Sequence, residues 1–240
     1  MLPTKLLQSP ITDTTIEIRF SSDYPADAVF GIIYKNIQRD FSKPKKMPIL
    51  ELPDEVRSND PSLLFQPYYR LLNNDYILQI GPRMVSLSPK TYPGWTTFHH
   101  YTTDIFENIL SAQVAVKIER IGLRFINSFT NQNILSDLNI SLQILGKPHN
   151  DSATYIRTII EEERFASTLQ IASNANFTKE NKSVKGSIID IDTYLTSLVD
   201  ANIEAIKEPI NDAHSIAKNL FFGLLSDQLL QKLEPVYDQS

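Results

Sequence analysis

Residues 14–20 read TTIEIRF, an alternation of polar and apolar side chains that is typical of a half-buried β-strand. Ile16 and Ile18 share one face of this strand, while Glu17 and Arg19 share the other. The stretch therefore predicts the first strand of a sheet that has one apolar face and one charged face.

The elements that follow this strand predict a β-α-β-β-α-β order. Apolar residues recur at helical spacing over residues 25–41. Turn residues then separate further predicted elements: strands at residues 64–72, 76–81 and 83–87, a helix that begins after Tyr92-Pro93-Gly94-Trp95, and a strand at residues 116–127. This order is a ferredoxin-like plan with one or two extra strands.

The second half of the chain predicts a different arrangement. Polar turns separate four predicted strands, at residues 138–145, 153–162, 167–173 and 185–192, and four successive strands favour an antiparallel meander. A long amphipathic helix is predicted over residues 209–233, opened by Pro209. The predicted fold class is α+β, with antiparallel sheet, a ferredoxin-like first half, a β-meander second half and a long C-terminal helix.

We expect residues 1–240 to form one continuous unit, because no repeat or long linker interrupts the chain. The polar stretch at residues 130–137 is the best candidate for a seam. It would divide a ferredoxin-like part at residues 1–130 from a meander and helix at residues 131–240.

Composition and charge limit the classes of protein to which this chain can belong. The chain is 42% hydrophobic and 21% charged, as globular proteins are, and it contains no cysteine, which excludes disulfides and thiolate metal sites. The formal net charge is −5, with the acidic surplus in residues 121–240, so we expect no nucleic-acid binding. We see no membrane span and no signal-peptide core, so we expect no membrane association and a cytoplasmic location.

Standard catalytic and cofactor motifs are absent from the sequence. It lacks a dinucleotide or phosphate loop, a nucleophile elbow and a zinc-binding His-Glu-x-x-His, and it has only 7 glycines for a phosphate cradle. His99 and His100 are adjacent, so on a helix they point about 100° apart and cannot clamp one metal. We therefore expect no cofactor, and a binding protein rather than an enzyme.

Charged residues on predicted strands form the main candidate site for a small anionic ligand. They lie at alternating positions opposite apolar residues and are Glu17, Arg19, Arg70, Arg120, Arg124 and Arg157. One interpretation is cross-strand ion pairing on a solvated face. The other is an anion-accepting surface, because the guanidinium fork suits carboxylates and phosphates.

Asp190 and Asp192 are the candidate metal ligands. Two carboxylates about 7 Å apart on one strand face can hold magnesium or act as an acid and a base. The alternating Ile189 and Ile191 instead predict that both aspartates point outward to solvent, and we expect no metal there.

Several short blocks occur in an order that resembles a known family. They are Pro10-Ile11, residues 16–20 (IEIRF), 31–34 (GIIY), 79–82 (QIGP), 92–95 (YPGW) with Phe98, 120–127 (RIGLRFIN), Asp190-x-Asp192 and Ala213-His214. Over essentially the whole chain they are similar to the sporadically distributed TIGR-type family of uncharacterised prokaryotic proteins. The resemblance implies no particular activity, but it implies genes of mobile or accessory operons such as defence modules.

The resemblance directs attention to residues 92–95 and 120–124. Trp95 is either a core residue behind a rigid turn or, with Tyr92, an exposed anchor for a partner. His214, near the apolar stripe of the last helix, is the third partner-contact candidate. Gly122 either relieves crowding beside its flanking arginines or bends the strand.

Two functions from different classes are expected. The first is a non-catalytic, cytosolic interaction or accessory protein of a mobile or defence-type operon, which binds a partner protein or itself as a homodimer. It follows from the missing catalytic motifs, the acidic second half and the amphipathic last helix. The alternative is an enzyme or binder of a phosphorylated or carboxylated ligand on an arginine-rich sheet face, similar to the tunnel-type phosphohydrolases that hold a divalent metal.

Overall fold

The structure, a computed structural model, describes residues 2–41, 43–149, 153–179 and 182–237. Within these residues the helices are α1 (Ala26–Ile37), α2 (Asp54–Asn59), α3 (Trp95–Leu110), α4 (Ile203–Leu224) and α5 (Asp227–Lys232). The strands are β1 (Lys5–Leu6), β2 (Ile11–Ser21), β3 (Lys45–Lys46), β4 (Tyr69–Leu72), β5 (Tyr76–Ile80), β6 (Met84–Pro89), β7 (Lys117–Thr130), β8 (Gln143–Ile144), β9 (Lys147–Pro148), β10 (Thr154–Glu162), β11 (Phe165–Lys179), β12 (Lys182–Leu195), β13 (Val199–Asp200) and β14 (Pro235–Val236).

The chain divides into two compact units, and neither is one contiguous stretch. The N-terminal unit comprises Asp13–Leu123 and Tyr194–Ala213. The C-terminal unit comprises Met1–Thr12, Arg124–Thr193 and His214–Ser240. As a result β2, β7, β12 and α4 each contribute residues to both units.

The N-terminal unit has the predicted ferredoxin-like order of elements. Its strands lie in the order β7-β2-β6-β5-β4-β3, and β2 pairs with β6 antiparallel through Ile16↔Leu87 and Ile18↔Val85. The ferredoxin-like set is β2-α1-β5-β6-α3-β7, and β4 and β3 are the extra strands at the edge. The α+β prediction is confirmed.

The core of the N-terminal unit lies between the sheet and the helices α1 and α3. Ile16 and Ile18 are fully buried, as their alternation predicts. On α1 the ring of Phe30 stacks on Tyr69 of β4 at 3.7 Å between centroids, and on α3 the buried Phe98 lies 6.3 Å from the ring of Tyr76 on β5. One face of the sheet is thus covered by helices, and the charged side chains are left on the other.

The C-terminal unit contains a three-stranded meander rather than the predicted four strands. Its strands lie in the order β10-β11-β12-β7, and β10 pairs with β11 in unbroken antiparallel register from Thr154↔Ser173 to Glu162↔Phe165. The strand predicted at residues 138–145 is wrong. A 3-10 turn at Leu135–Asp137 precedes this segment, Leu138 forms only an isolated bridge with Leu225, and β8 is only two residues long.

The last helix begins earlier and ends earlier than predicted. The side chain of Asn202 accepts the backbone N–H of Ala205 at 2.9 Å, so Asn202 caps α4 and Pro209 lies inside the helix. At the other end Ser226 accepts the N–H of Leu229 at 3.2 Å and starts α5. Helices α4 and α5 therefore both start after a polar cap, and Pro209 marks neither start. Within the described residues, no helix has the length and mean hydropathy of a membrane span.

Candidate functional site

Glu17, Arg19 and Arg120 form an ion-pair cluster on the charged face of the N-terminal unit. Glu17 Oε1 accepts from Arg19 Nε at 2.7 Å and from Arg120 Nη1 at 3.0 Å. The guanidinium of Arg19 lies 4.8 Å from the ring centroid of Phe65, and that of Arg120 lies 4.7 Å from that of Tyr194. Both guanidinium groups thus share one carboxylate oxygen, and each is held against an aromatic ring.

Gly122 makes room for this cluster. A Cβ at this position would lie 2.2 Å from Nη1 and 2.8 Å from Cζ of Arg120. The guanidinium therefore folds back across the glycine on its way to Glu17. Of the two roles considered for Gly122, relief of crowding is the one this contact supports.

Arg70 lies on the same face, in one cross-strand row with Glu17. The register places Arg70 opposite Gln79, Gln79 opposite Ser86, and Ser86 opposite Glu17. Arg70 Nε is buried without a hydrogen-bond partner among the described residues. The row brings polar groups from four strands together, but its carboxylate already binds two other arginines.

A second polar network lies in the C-terminal unit around Asp190. Arg124 binds this carboxylate through both edges of its fork, with Nε at 2.8 Å from Oδ1 and Nη2 at 2.5 Å from Oδ2. Gln170 Nε2 donates to Oδ2 at 3.1 Å, and the hydroxyl of Tyr155 donates to Gln170 Oε1 at 2.5 Å. The network therefore links one side chain from each of β10, β11, β12 and β7.

The expectation of a solvated Asp190 is wrong. Asp190 is 6% exposed, because Arg124 and Gln170 cover its carboxylate, and Asp192 is half-buried. A buried carboxylate needs such partners, since the loss of its hydration is not otherwise offset. Within the described residues, no three His, Asp or Glu side chains are grouped so that they could hold a metal ion.

The partner-contact candidates Tyr92 and Trp95 lie beside the start of α3. Both rings meet Phe98 edge-on, with centroids 6.4 and 6.5 Å away. Burial raises the pKa of the Tyr92 hydroxyl. The indole Nε1 of Trp95 donates to Asn211 Oδ1 at 3.1 Å. Trp95 is half-buried, so it is neither a buried core residue nor a fully exposed anchor.

Trp95 instead forms one wall of a groove between α3 and the first half of α4. The groove has a volume of about 480 Å³, and its lining includes Trp95, His99, Glu107, Glu204, Lys207 and Asn211. The ring of His99 lies 5.2 Å from that of Trp95, and its Nε2 lies 3.4 Å from the carbonyl oxygen of Lys207. Burial lowers the pKa of His99, and the nearby cation of Lys207 also disfavours its protonation.

We expect the stability of the protein to fall as the pH drops below about 6.5 because of His99. Its pKa is lower in the folded chain, so the unfolded chain binds the proton first, and stability is lost as the pH falls through the folded pKa. Urea unfolding at about pH 7.5 and about pH 5.5, followed by the fluorescence of the single tryptophan, measures this loss. His99→Gln should reduce it, whereas His100→Gln, which alters an exposed ring, should not. Equal losses in both variants would contradict the assignment.

His214 and Arg157 lie in the C-terminal unit. The His214 ring on α4 is 6.2 Å from that of Phe125 on β7, so His214 packs against an aromatic ring. Arg157 is exposed on β10, opposite Gln170 on β11. It lies in none of the ion pairs that bind the arginines above.

Strand β10 carries three exposed apolar side chains of the C-terminal unit. It ends the strand order, so its outer edge pairs with no other described strand. Tyr155 is 63% exposed, Ile159 50% and Ile160 37%. Next to it is a groove of about 270 Å³ between the sheet and α4, lined by Ile160, Glu162, Ser167, Ile216, Leu220 and Gly223, among others. We call this strand edge with its groove the β10 edge.

Sequence reasoning missed the β10 edge. The only signal is that residues 155–160 read YIRTII, which places apolar side chains on both faces of one strand. Such a pattern is typical of a strand covered on both sides. In the structure the outer edge of β10 is not covered by another described strand. This follows from the position of β10 at the end of the strand order, which the local sequence does not show.

No protein-family model and no curated protein matches this chain. The resemblance to the TIGR-type family therefore stays a prediction. The fold defines an α+β protein with mostly antiparallel sheet, and the functional argument below depends on the residues themselves.

Proposed function

We propose that this is a non-catalytic interaction protein that binds a protein partner through the β10 edge. The observation that carries the proposal is a strand with exposed apolar side chains and an edge that pairs with no other described strand. Such edges are templates for pairing with another chain. The cytoplasmic location and the accessory or defence-type operon implied by the resemblance are parts of the same proposal.

The length and regularity of β10 support this role. Proteins usually block exposed edges with proline, bulges, short strands or many charges. Strand β10 contains nine residues without proline, its register with β11 has no bulge, and its three charged side chains, Arg157, Glu161 and Glu162, are of both signs. The backbone groups along its outer side are therefore available in a regular row.

The ion pairs that the charged residues form within the chain also favour an interaction protein over a binder of small anions. Arg19 and Arg120 share the carboxylate of Glu17, and Arg124 binds that of Asp190, so an anionic ligand would compete with carboxylates of the chain. The strand order ends at β10 in the C-terminal unit and at β3 in the N-terminal unit. This differs from the closed sheet of a tunnel-type phosphohydrolase.

Photo-crosslinking in cells of the organism that encodes the protein tests the proposal. The photoreactive residue p-benzoylphenylalanine is placed at Ile159, and in a control chain at Val116. These side chains are 50% and 49% exposed, so they differ in location and not in accessibility. We expect position 159 to form a discrete adduct whose peptides identify one partner, and position 116 to form none. No adduct at position 159, or the same adducts at both, would overturn the proposed function.

A further inference from the structure

We infer that the partner at the β10 edge is a second copy of this chain, paired antiparallel with β10 about a two-fold axis through Ile159. The inference rests on the proposed function and specifies its partner. It follows from the direction of the free backbone groups and from the order of charges along the strand.

The hairpin between β10 and β11 sets which backbone groups point outward. Glu162 and Phe165 are the closing pair of a two-residue turn, in which Glu163 has φ 53°. The closing pair of such a turn exchanges hydrogen bonds, and these bonds alternate along an antiparallel pair. The even-numbered residues of β10 therefore bond to β11. The N–H and C=O groups of Tyr155, Arg157, Ile159 and Glu161 point to the open edge.

A two-fold axis at Ile159 allows the outward backbone groups to form hydrogen bonds and places opposite charges next to each other. Ile159 then faces its own copy, and Arg157 faces Glu161 of the second copy, so the same ion pair forms twice. All of these residues present outward backbone groups, so their pairs are hydrogen-bonded ones. The strand is thus self-complementary in this register.

Other symmetric registers lack this complementarity. An axis at Arg157 places two arginines opposite each other, and an axis at Glu161 does the same for two glutamates, which destabilises a sheet. An axis at Thr158 places Arg157 opposite Ile159 and forms no ion pair. An axis at Ile160 pairs Arg157 with Glu163, a turn residue beyond the end of β10.

The same axis would cover exposed apolar side chains on both faces of the strand. Ile159 and Tyr155 lie on the face that carries Gln170. Ile160 lies on the other face, where it lines the groove with Ile216 and Leu220 of α4. Thr158 of the second copy would lie opposite Ile160 and extend the sheet beside this groove.

Charge reversal tests the inference in the purified full-length chain by light scattering and sedimentation. We expect the protein to have twice its chain mass of 27.3 kDa. Arg157→Glu and Glu161→Arg each place like charges opposite each other twice, and each should weaken the dimer at least about tenfold. The double variant restores both ion pairs with reversed polarity and should dimerise like the unmodified chain. Glu162→Arg, the matched control, faces Ile156 in this register and should have a smaller effect.

A second variant distinguishes the loss of the dimer interface from the loss of the folded hairpin. Ile159→Pro removes an N–H that points outward, so the hairpin with β11 should remain while the dimer is lost. A dimer that tolerates Arg157→Glu, Glu161→Arg and Ile159→Pro would overturn the inference. So would a monomeric protein. If position 159 then still crosslinks to a different protein, the proposed function stands without the second copy, and if it crosslinks to nothing, both fail.

Discussion

The double variant Phe221→Asp/Leu224→Asp is expected to lose the folded C-terminal unit. Phe221 is 9% exposed and Leu224 7%, and both lie on α4. Truncating a buried Phe or Leu costs about 2–5 kcal/mol, and an unpaired buried carboxylate adds to this. The total of about 5–10 kcal/mol is comparable to the stability of a whole domain, about 5–15 kcal/mol.

Circular dichroism and thermal unfolding measure this loss. Asn219→Asp/Gly223→Asp is the matched control, because it introduces two carboxylates at exposed positions of the same helix. A Cβ at Gly223 meets no atom within 4 Å, so the control should remain folded. If the Phe221/Leu224 variant kept its circular dichroism and its melting temperature, the packing of α4 described here would be wrong.

Gly186→Ala is expected to give the second largest effect, a loss of about 1–3 kcal/mol or more. Gly186 on β12 is buried against β7, where a Cβ would lie 2.2 Å from the carbonyl oxygen of Phe129. This neighbour is backbone, so it cannot turn aside as a side chain does, and the two strands have to separate. For a protein of this size the melting temperature should fall by about 2–12 °C.

Gly31→Ala adds the same Cβ atom but is expected to change the melting temperature in the opposite direction. Gly31 lies exposed within α1, and a Cβ there meets no atom within 4 Å. Alanine is the better helix former by about 1 kcal/mol, so this variant should melt at a higher temperature. If Gly186→Ala melted at or above the temperature of the unmodified chain, the packing at Gly186 would be contradicted.

Local periodicity predicts the N-terminal unit well. Ile16 and Ile18 alternate with Glu17 and Arg19, and β2 places the first pair in the core and the second on the charged face. Helices α1 and α3 were equally predictable, since their apolar residues recur at helical spacing beside a clear start. In these elements local pattern and tertiary packing agree.

The errors arise where a long-range contact decides the local structure. The segment 138–145 has strand-like residues, but Leu138 pairs only with Leu225 after α4. Pro209 resembles a helix start, yet the cap at Asn202 allows α4 to begin earlier and include the proline. Asp190 was expected in solvent, because its alternation gives the face of the strand but not the partners that bury it.

The candidate site was only partly predictable for the same reason. Arg157 was identified by its alternation on a predicted strand. The position of β10 at the end of the strand order depends on which strands pair. No stretch of neighbouring residues contains that information. Ile159 and Ile160 became candidates only once the open edge was known.

The interleaved composition of the two units has a consequence for synthesis and for evolution. A ribosome releases residues 194–213, which complete the N-terminal unit, only after it has made residues 124–193 of the other. The N-terminal unit thus cannot finish folding before most of its neighbour has emerged, unlike a domain encoded in one contiguous stretch. For the same reason, a recombination event with a single pair of breakpoints cannot transfer one unit without part of the other.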